Sequence, residues 1–254
     1  MSKTFQLMQS GLAEIERPSS LAEEYSLSDA SSPDSASARP ASTDFDATSQ
    51  EECLRLVQRI FLGQAAHPGR AIVFAGVDRG DGCSRICAES ARTLAANVVG
   101  SVCLVEGNFR TASLAKFFGV SNHRGLSDSL RGNGTIRSYA IQLQPANLWL
   151  LAAGAILPES PNLLNSDALK LRLQELRKEF DYLLIDAPAL NLYGDAVSLG
   201  QNTDGVVLVL KAESTRRESA LKSLTSLRDA HVEVLGAVLN RRTLPIPEFV
   251  YRRL

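Results

Sequence analysis

A glycine-rich stretch, AGVDRGDGCSR at residues 75–85, carries the groups that hold an anion. Gly80 and Gly82 permit backbone conformations that are closed to other residues, and they let the chain approach a ligand closely. Successive N–H groups then point inward, and a helix that starts near Ser84 adds its positive end. The residue types therefore predict either an anion-binding loop or a plain turn between a strand and a helix.

This stretch matches the phosphate-binding motif G-x-x-x-x-G-K-[ST] only in part. Gly82 and Ser84 stand at the glycine and hydroxyl positions, where the hydroxyl would bind Mg²⁺. Cys83 replaces the lysine, and Val77 replaces the first small residue. The residues that we assign to a nucleotide-binding loop are Gly80, Asp81, Gly82, Cys83, Ser84 and Arg85.

Polar side chains also follow three other apolar runs that are predicted to be strands. Glu106 and Asn108 end one run at alternate positions, on the side of the ligand crevice, and Asp186 ends another. A carboxylate at the end of a buried strand needs a partner, and a Mg²⁺ contact through water is the common solution. Asn240 follows the last run, where an amide offers a donor and an acceptor to a base. The alternatives are a capping role for Asp186 and a turn role for Asn240.

A sheet has to position these residues, since short apolar runs alternate with helical patterns from residue 51 onward. The predicted strands are residues 71–75, 101–106, 147–151, 182–186, 205–210 and 234–239. The predicted helices are residues 51–61, 84–99, 113–118, 126–130, 167–180, 195–199 and 215–230. Uninterrupted apolar strands between helices indicate a parallel sheet that is covered on both faces. We predict an α/β fold with a doubly wound, mostly parallel sheet, which binds ligands at the carboxyl ends of its strands.

The first 48 residues differ from the rest in composition. Large apolar residues recur at spacings of 3, 4 and 3 within residues 1–17, which predicts an amphipathic helix, either a frayed terminus or a detachable docking helix. Residues 18–48 are rich in Ser, Ala, Asp and Pro, and they bury too little apolar surface to offset the entropy of ordering. We therefore predict a disordered linker over residues 18–48 and the α/β domain over residues 49–254.

Composition excludes several classes of protein. The 254 residues carry a net charge of −1, which argues against nucleic-acid binding by the whole chain. No apolar run reaches the roughly 18 residues of a membrane span, and the opening residues lack the pattern of a signal peptide, so none is expected. Four cysteines in a chain of this length make no disulfide framework, so we expect a cytoplasmic protein.

The order and spacing of these motifs resemble the bacterial tyrosine kinases of capsule and exopolysaccharide synthesis, which are relatives of the deviant-P-loop partition ATPases. The resemblance runs from about residue 51 to residue 254. Its segments are the loop strand, LVEGNFRTASLAKFFGV at 104–120, GLSDSLRG at 125–132, GAILPESPNLL at 154–164, LRKEFDYLLIDAP at 176–188, DAVSLGQNTDGVVLVLKAESTRRESA at 195–220 and GAVLNRRTLPIPEFVYRRL at 236–254. The opening residues look like the amino-terminal helix of cytosolic members.

This resemblance implies a set of cofactors and roles. ATP and Mg²⁺ are the expected cofactors, and Ser84 and Asp186 are expected to hold the metal. Glu106 and Asp186 are the expected catalytic carboxylates, because Asp186 matches the Walker B aspartate. Asn240 and Arg241 are expected to join the loop in binding the nucleotide.

Three departures from the family pattern affect the same chemistry. Cys83 replaces the lysine that offsets phosphate charge, and at an effective dielectric near 20 a lysine about 4 Å away is worth on the order of 4 kcal/mol before desolvation. The family's D-x-D motif reads E-G-N at residues 106–108, and an amide cannot act as a base. Tyr251 is the only tyrosine after Tyr193, where active members carry a tyrosine cluster. The sequence therefore favours a degenerate member with weak or no phosphoryl transfer.

The favoured function is a pseudokinase-like regulator or scaffold of exopolysaccharide or capsule synthesis. The alternatives are an active Mg-ATP-dependent tyrosine autokinase and a partition-type ATPase, although the latter carries a lysine where this chain has Asp78 and Arg79. The expected partners are further copies of the chain and a membrane co-polymerase or adaptor subunit, which would hold the protein at the inner face of the membrane. The subunit-contact motif E-x-x-R-x-x-R is incomplete in residues 52–59, so ring assembly stays open.

Three further hypotheses concern single groups. Arg79 or Arg85 replaces the missing lysine charge, although with a different fork geometry. Cys83 is a redox-sensitive thiol, because a helix N-terminus near an arginine favours the thiolate. The basic residues 241–254 form either a docking surface or a tail that packs on the domain edge.

Overall fold

The structure is a computed structural model, and it describes residues 47–62, 70–156, 164 and 166–242. These residues all belong to one compact unit, Arg39–Leu254. The predicted helix of residues 1–17, nearly all of the predicted linker and the chain from residue 243 lie outside the described residues. Within the described part, every helix is too short or too polar to cross a bilayer.

Seven strands form one sheet in the described part of the chain. They are β1 (Ala71–Gly76), β2 (Val102–Glu106), β3 (Ile141–Gln142), β4 (Leu148–Leu151), β5 (Tyr182–Ala187), β6 (Gly205–Lys211) and β7 (Val234–Asn240). Their order is β3-β4-β2-β5-β1-β6-β7, and every neighbouring pair is parallel except β3 and β4. The prediction of a mostly parallel sheet is confirmed. The antiparallel strand β3 has only two residues, too few to show an alternating pattern in the sequence.

Helices connect the strands, and each helix predicted from residue 51 onward is present close to its predicted bounds. They are α1 (Ala47–Val57), which continues into a π-helical turn at Gln58–Leu62, α2 (Cys83–Asn97), α3 (Leu114–Phe118), α4 (Leu126–Arg131), a 3-10 turn (Ile136–Tyr139), α5 (Asp167–Glu179), α6 (Asp195–Gly200) and α7 (Arg217–Asp229). Helix α1 begins at Ala47, just inside the segment whose composition predicts a linker.

Two apolar layers pack against the sheet, one on each face. Val73 and Ile185 belong to the layer that contains residues of α4, α5 and α6. Phe74 and Leu184 belong to the layer that contains residues of α1 and α2. Because both faces are covered, every residue of β1 and β2 is buried, which explains the uninterrupted apolar runs in the sequence.

The carboxyl ends of β1, β2 and β5 meet at one edge of the sheet. Asp186 on β5 pairs in register with Phe74 on β1 and with Glu106 on β2. The glycine loop follows β1 directly, so the sheet brings it beside both acidic residues. The candidate site therefore lies where parallel α/β sheets bind their ligands.

Asp204 fixes the start of β1, the strand that leads into the glycine loop. Its Oδ2 accepts hydrogen bonds from the backbone N–H groups of Arg70 and Ala71 at 2.7 and 2.8 Å. Its Oδ1 accepts a hydrogen bond from Arg177 at 2.7 Å. Partial burial acts to raise the pKa of Asp204, but these donors hold it below its ordinary value of 3.8.

Replacing Asp204 by alanine should lower the free energy of unfolding by about 2 kcal/mol, because three donors lose a charged acceptor. The pKa of the folded-state carboxyl is lowered, so its stabilisation is present above the ordinary pKa of about 4 and is lost as the pH falls through the folded-state value. Urea denaturation at neutral and acidic pH measures both effects. Asp229→Ala, at an exposed carboxyl that ends α7, is the control. An equal decrease in the free energy of unfolding in both variants would contradict the proposed role of Asp204 at the start of β1.

Candidate functional site

The loop between β1 and α2 takes its shape from two glycines. Their φ angles are 90° at Gly80 and 85° at Gly82, in the region that glycine adopts without steric cost. Gly82 is also crowded, since a Cβ at this position would lie 2.3 Å from Asn240 Nδ2. It immediately precedes α2, whose first backbone N–H groups have no acceptor inside the helix. The loop and the helix N-terminus thus offer backbone donors to an anion.

Asp81 braces this loop from the protein side. Its carboxylate accepts hydrogen bonds from the Asp78 N–H at 2.8 Å and from the Thr215 hydroxyl at 3.3 Å. Its carbonyl oxygen accepts a hydrogen bond from Asn240 Nδ2 at 2.7 Å. The side chain is 4% exposed, so its charge is used to shape the loop. Asp81 therefore belongs to the predicted loop, but its carboxylate is engaged within the protein.

Ser84 and Asp186 are brought together as predicted for a metal pair. The Ser84 hydroxyl donates a hydrogen bond of 2.6 Å to Asp186 Oδ2. Asp186 is fully buried, and its Oδ1 has no hydrogen-bond partner among the described residues. A hydroxyl beside an unsatisfied carboxylate oxygen fits the ligand preference of Mg²⁺ for hard oxygens.

Glu106 and Asp186 form a buried acidic pair at the ends of β2 and β5. Burial raises the pKa of Asp186 from 3.8 to about 7; the Ser84 hydroxyl opposes the shift and the Glu106 charge adds to it. Burial also raises the pKa of Glu106, against the opposing backbone N–H donors at the start of α3. Glu106 Oε2 is a second buried oxygen without a partner among the described residues. The pair therefore lacks positive charge, which a bound divalent cation would supply.

Glu106 and Asn108 both have local structural roles. Glu106 Oε1 accepts hydrogen bonds from the backbone N–H groups of Ser113 and Leu114, the latter at 2.8 Å, and so caps α3. The Asn108 amide exchanges two 3.1 Å hydrogen bonds with Thr111, one to its hydroxyl and one from its N–H. Glu106 is fully buried and does not line the open cleft, and its predicted catalytic role stays a prediction.

Cys83 begins α2, is half-buried and lines the cleft. Burial raises the pKa of the Cys83 thiol well above its ordinary value, and the neighbouring Asp186 and Cys87 raise it further. Burial likewise raises the pKa of Cys87 well above its ordinary value. These shifts oppose a thiolate at position 83, since desolvation and the nearby Asp186 both favour the neutral thiol, and the redox role stays a hypothesis.

A cleft of about 190 Å³ opens beside the glycine loop. Its lining includes all six residues of the predicted loop, Gly80, Asp81, Gly82, Cys83, Ser84 and Arg85, together with Arg79 and Asn108. Asp186 and Glu106 are fully buried and do not line it. Asn240 and Arg241 are also outside the lining, and the Asn240 side chain donates to the loop instead. Their predicted contact with a nucleotide stays a prediction.

Arg110 and Tyr193 also line the cleft, and the sequence predicts no role for either residue. Arg110 forms an ion pair with Asp195 at 3.1 Å, and its guanidinium lies 4.4 Å from the centre of the Tyr193 ring. Asp195 is buried, so this pair is better fixed than an exposed one. The sequence places Arg110 just beyond the polar end of β2. No sequence pattern pairs it with Asp195, which lies 85 positions later in the chain.

Comparison with known proteins gives homologues for about half of the chain. No family model matches it. CapB of Staphylococcus aureus is 29% identical over 138 residues, which cover 54% of this chain and 60% of that protein. The tyrosine-protein kinase YwqD of Bacillus subtilis (strain 168) is 28% identical over 143 residues, which cover 56% and 60%. The chain thus matches less than two thirds of the length of these curated relatives.

A solved structure shares the fold over a longer stretch. The chimerical protein CapA2B2 superposes with a TM-score of 0.70 and 26% sequence identity. The match covers 76% of this chain and 85% of that one. The similarity therefore extends over most of the α/β domain.

Replacing Asp186 by asparagine should stabilise the protein at alkaline pH. The pKa of the folded-state carboxyl is raised to about 7 from 3.8, so the wild type loses stability as the pH rises between these values. The variant lacks that loss, and its Tm at pH 8 should exceed the wild-type value by roughly 5 °C. Thermal unfolding at several pH values measures the difference. In the control Asp167→Asn, which changes a 91% exposed carboxyl, the pH dependence should follow the wild type. If the Tm of Asp186→Asn fell with rising pH as steeply as that of the wild type, the result would contradict a cost of ionising the buried Asp186.

Proposed function

We infer that this chain, whose homologues are bacterial tyrosine kinases with the P-loop fold, is a nucleotide-binding protein with little phosphoryl-transfer activity. The family acts in capsule and polysaccharide synthesis, and we propose a regulatory or assembly role for this chain in such a system. One observation carries the proposal. Cys83 occupies the position where an active site of this type has a lysine, and the buried acidic pair of Glu106 and Asp186 lies close to it.

The retained parts of the site support binding of a nucleotide phosphate. Gly80 and Gly82 hold the loop backbone, and the N-terminus of α2 contributes its dipole. Ser84 and Asp186 would hold Mg²⁺, since a hydroxyl and an unsatisfied buried carboxylate oxygen lie together there. A bound Mg²⁺ would neutralise phosphate charge, which is the chemistry it supplies in phosphoryl transfer.

The altered parts of the site argue against efficient transfer. The thiol of Cys83 is neutral, so it offers no charge to the phosphates. Asn108 cannot accept a proton from an attacking hydroxyl, and its amide is held in a turn by Thr111. Because phosphoryl transfer depends on positioning and charge stabilisation, both losses act on the same step.

The proposed partner is a membrane co-polymerase or adaptor subunit of the same polysaccharide system. The similarity to CapB and to the chimerical protein CapA2B2 supports a place in capsule synthesis. In the described residues no helix is suited to span a membrane. From the similarity to CapB and CapA2B2, we propose that such a partner holds the chain at the cytoplasmic face of the membrane. An active tyrosine autokinase is the alternative, and the retained Ser84–Asp186 pair favours it.

Cys83→Lys should bind Mg-ATP at least about tenfold more tightly than the wild type, because a lysine near a phosphate gains on the order of 4 kcal/mol before desolvation. Isothermal titration calorimetry with Mg-ATP measures the affinities. Cys83→Ser is the matched control, since it replaces one small neutral side chain by another and should leave the affinity unchanged. Equal affinities of all three proteins would contradict the proposal that the absence of a positive charge at position 83 weakens Mg-ATP binding.

Incubation with γ-labelled ATP separates the proposed function from the alternative. We expect wild-type incorporation, at Tyr251 or on a partner, to be close to that of Asp186→Asn, and Cys83→Lys to exceed both. Rapid wild-type incorporation that Asp186→Asn abolishes would establish the active autokinase instead.

Substitution of the arginines at the cleft tests whether another cation replaces the lysine. Arg79 and Arg85 both line the cleft and are exposed. If either guanidinium reaches the phosphates, its replacement by alanine should weaken Mg-ATP binding at least about tenfold, since bonds between guanidinium and phosphate are charge-assisted. Arg92→Ala, further along α2 and outside the cleft lining, is the control for a general loss of positive charge. Unchanged affinity in both loop variants removes the compensation hypothesis.

A further inference from the structure

A guanidinium in the cleft is held by the protein from one side only. Arg110 lies just beyond β2 and lines the cleft together with the glycine loop. Its Nε donates to Asp195 Oδ2 at 3.1 Å, and its Nη2 donates to Asp195 Oδ1 at 3.5 Å. The side chain of Asp195, the first residue of α6, is 5% exposed. Arg110 therefore has a buried anchor, which fixes an ion pair better than an exposed one.

Two further contacts fix the position of Arg110. Its guanidinium carbon lies 4.4 Å from the centre of the Tyr193 ring, in a cation–π contact. Asn108 and Thr111 close a turn around Arg110 with two hydrogen bonds of 3.1 Å. Because the side chain is already held, it loses little conformational entropy when it binds a ligand.

The guanidinium keeps donors that the protein does not use. An arginine has five N–H groups in a planar fork, and the ion pair uses one from Nε and one from Nη2. Nη1 donates to no acceptor among the described residues. Since Arg110 lines the cleft and its side chain is 33% exposed, these donors are accessible to a ligand there. Paired N–H groups of this kind match the oxygens of a phosphate.

The strand order places Arg110 on the far side of the Ser84–Asp186 pair from the glycine loop. In the sheet, β1 is followed by β5 and then by β2. Asp186 near the end of β5 therefore lies between the loop after β1 and Arg110 after β2. Neighbouring strands are about 4.8 Å apart, so the ends of β1 and β2 are separated by roughly 10 Å. A row of phosphates that starts in the loop and passes the Ser84–Asp186 pair would end at Arg110.

We propose that Arg110 binds the terminal phosphate of a nucleoside triphosphate, and that Asp195 and Tyr193 position it for this contact. The proposal rests on the proposed nucleotide binding and adds a selectivity, for a triphosphate over a diphosphate. Cys83 brings no positive charge to the loop, so a cation held on the other side of the ligand has the larger effect.

The carboxylate of Asp195 does not cancel the attraction. It lies behind the guanidinium, on the edge that carries Nε, and is farther from a phosphate in the cleft than the positive charge is. Coulomb energy falls with distance, so the nearer charge has the larger effect.

Arg79 and Arg85 line the same cleft but belong to its other side. They flank the two glycines of the loop and would approach the phosphates that the loop itself holds. A contact from there acts on a diphosphate and a triphosphate alike. A contact from Arg110 acts on the triphosphate alone, which gives the experiment its readout.

Isothermal titration calorimetry of the full chain with Mg-ATP and with Mg-ADP tests the proposal. The wild type should bind Mg-ATP more tightly. Arg110→Gln should weaken Mg-ATP binding at least about tenfold, because charge-assisted bonds are lost, and should change Mg-ADP binding less than about threefold. Arg124→Gln is the matched control, since Arg124 also lies over a tyrosine ring, that of Tyr139 at 4.8 Å, but outside the cleft lining. Its two affinities should equal those of the wild type.

A neutral pair keeps the test valid if the single variant is unstable. Arg110→Gln leaves Asp195 buried without its cation, so the double variant Arg110→Gln/Asp195→Asn is measured as well, because two amides can bond to each other. It should show the same loss of preference for Mg-ATP. Circular dichroism verifies that each variant is folded. A purely structural role of Arg110 would instead weaken the binding of both nucleotides equally.

The outcomes separate this proposal from the proposed function. A wild type that binds both nucleotides equally, or a preference for Mg-ATP that the Arg110 variants retain, would overturn the phosphate contact alone. So would equal weakening of both nucleotides in folded variants. If the wild type binds neither nucleotide, magnesium tripolyphosphate is the probe. Binding that Arg110→Gln weakens at least about tenfold would support the contact and overturn nucleotide binding, whereas no binding would overturn both.

Discussion

Two carboxylates without a compensating charge, Glu106 and Asp186, constrain the whole carboxyl edge of the sheet. They are held side by side by the register of β2 and β5, and burial raises the pKa of both groups. Burying like charges is expensive unless neighbouring donors or a cation satisfy them. The start of α3 satisfies one oxygen of Glu106, and Ser84 satisfies one oxygen of Asp186. The remaining oxygens keep the site suited to a cation, while position 83 of the loop is a cysteine.

The glycine loop keeps its shape for reasons that do not depend on catalysis. Asp81 ties the loop to Thr215, and Asp78 accepts a hydrogen bond of 2.9 Å from Asn191. A loop that is braced from several elements is costly to reshape, so its shape does not depend on the residue at position 83. This accounts for a glycine loop that keeps its form although it carries Cys83. It also means that the form of the loop is poor proof of activity.

Much of the fold could be predicted from the sequence, because apolar strands between helices leave a strong pattern. The strands from β1 to β7 were all predicted except the two-residue β3, and the loop residues do share one cleft. The sequence did not show which groups each side chain contacts inside the protein. Glu106 and Asn240 are predicted to be ligand groups at strand ends, and the structure adds that Glu106 caps α3 and that Asn240 donates to Asp81. Such contacts join residues far apart in sequence, and no local pattern records them.

The glycine loop, which follows the first strand of the described α/β domain, contacts the end of its last strand. Asn240 donates to the carbonyl of Asp81, which lies 159 positions earlier in the chain, and its amide packs against the backbone of Gly82. During synthesis, β1 and α2 therefore emerge from the ribosome long before the residue that completes their connection. Until β7 is made and added to the sheet, the loop lacks one of its braces. A nascent or truncated chain that lacks β7 should thus form the central strands before the glycine loop takes its final shape, because Asn240 is still missing.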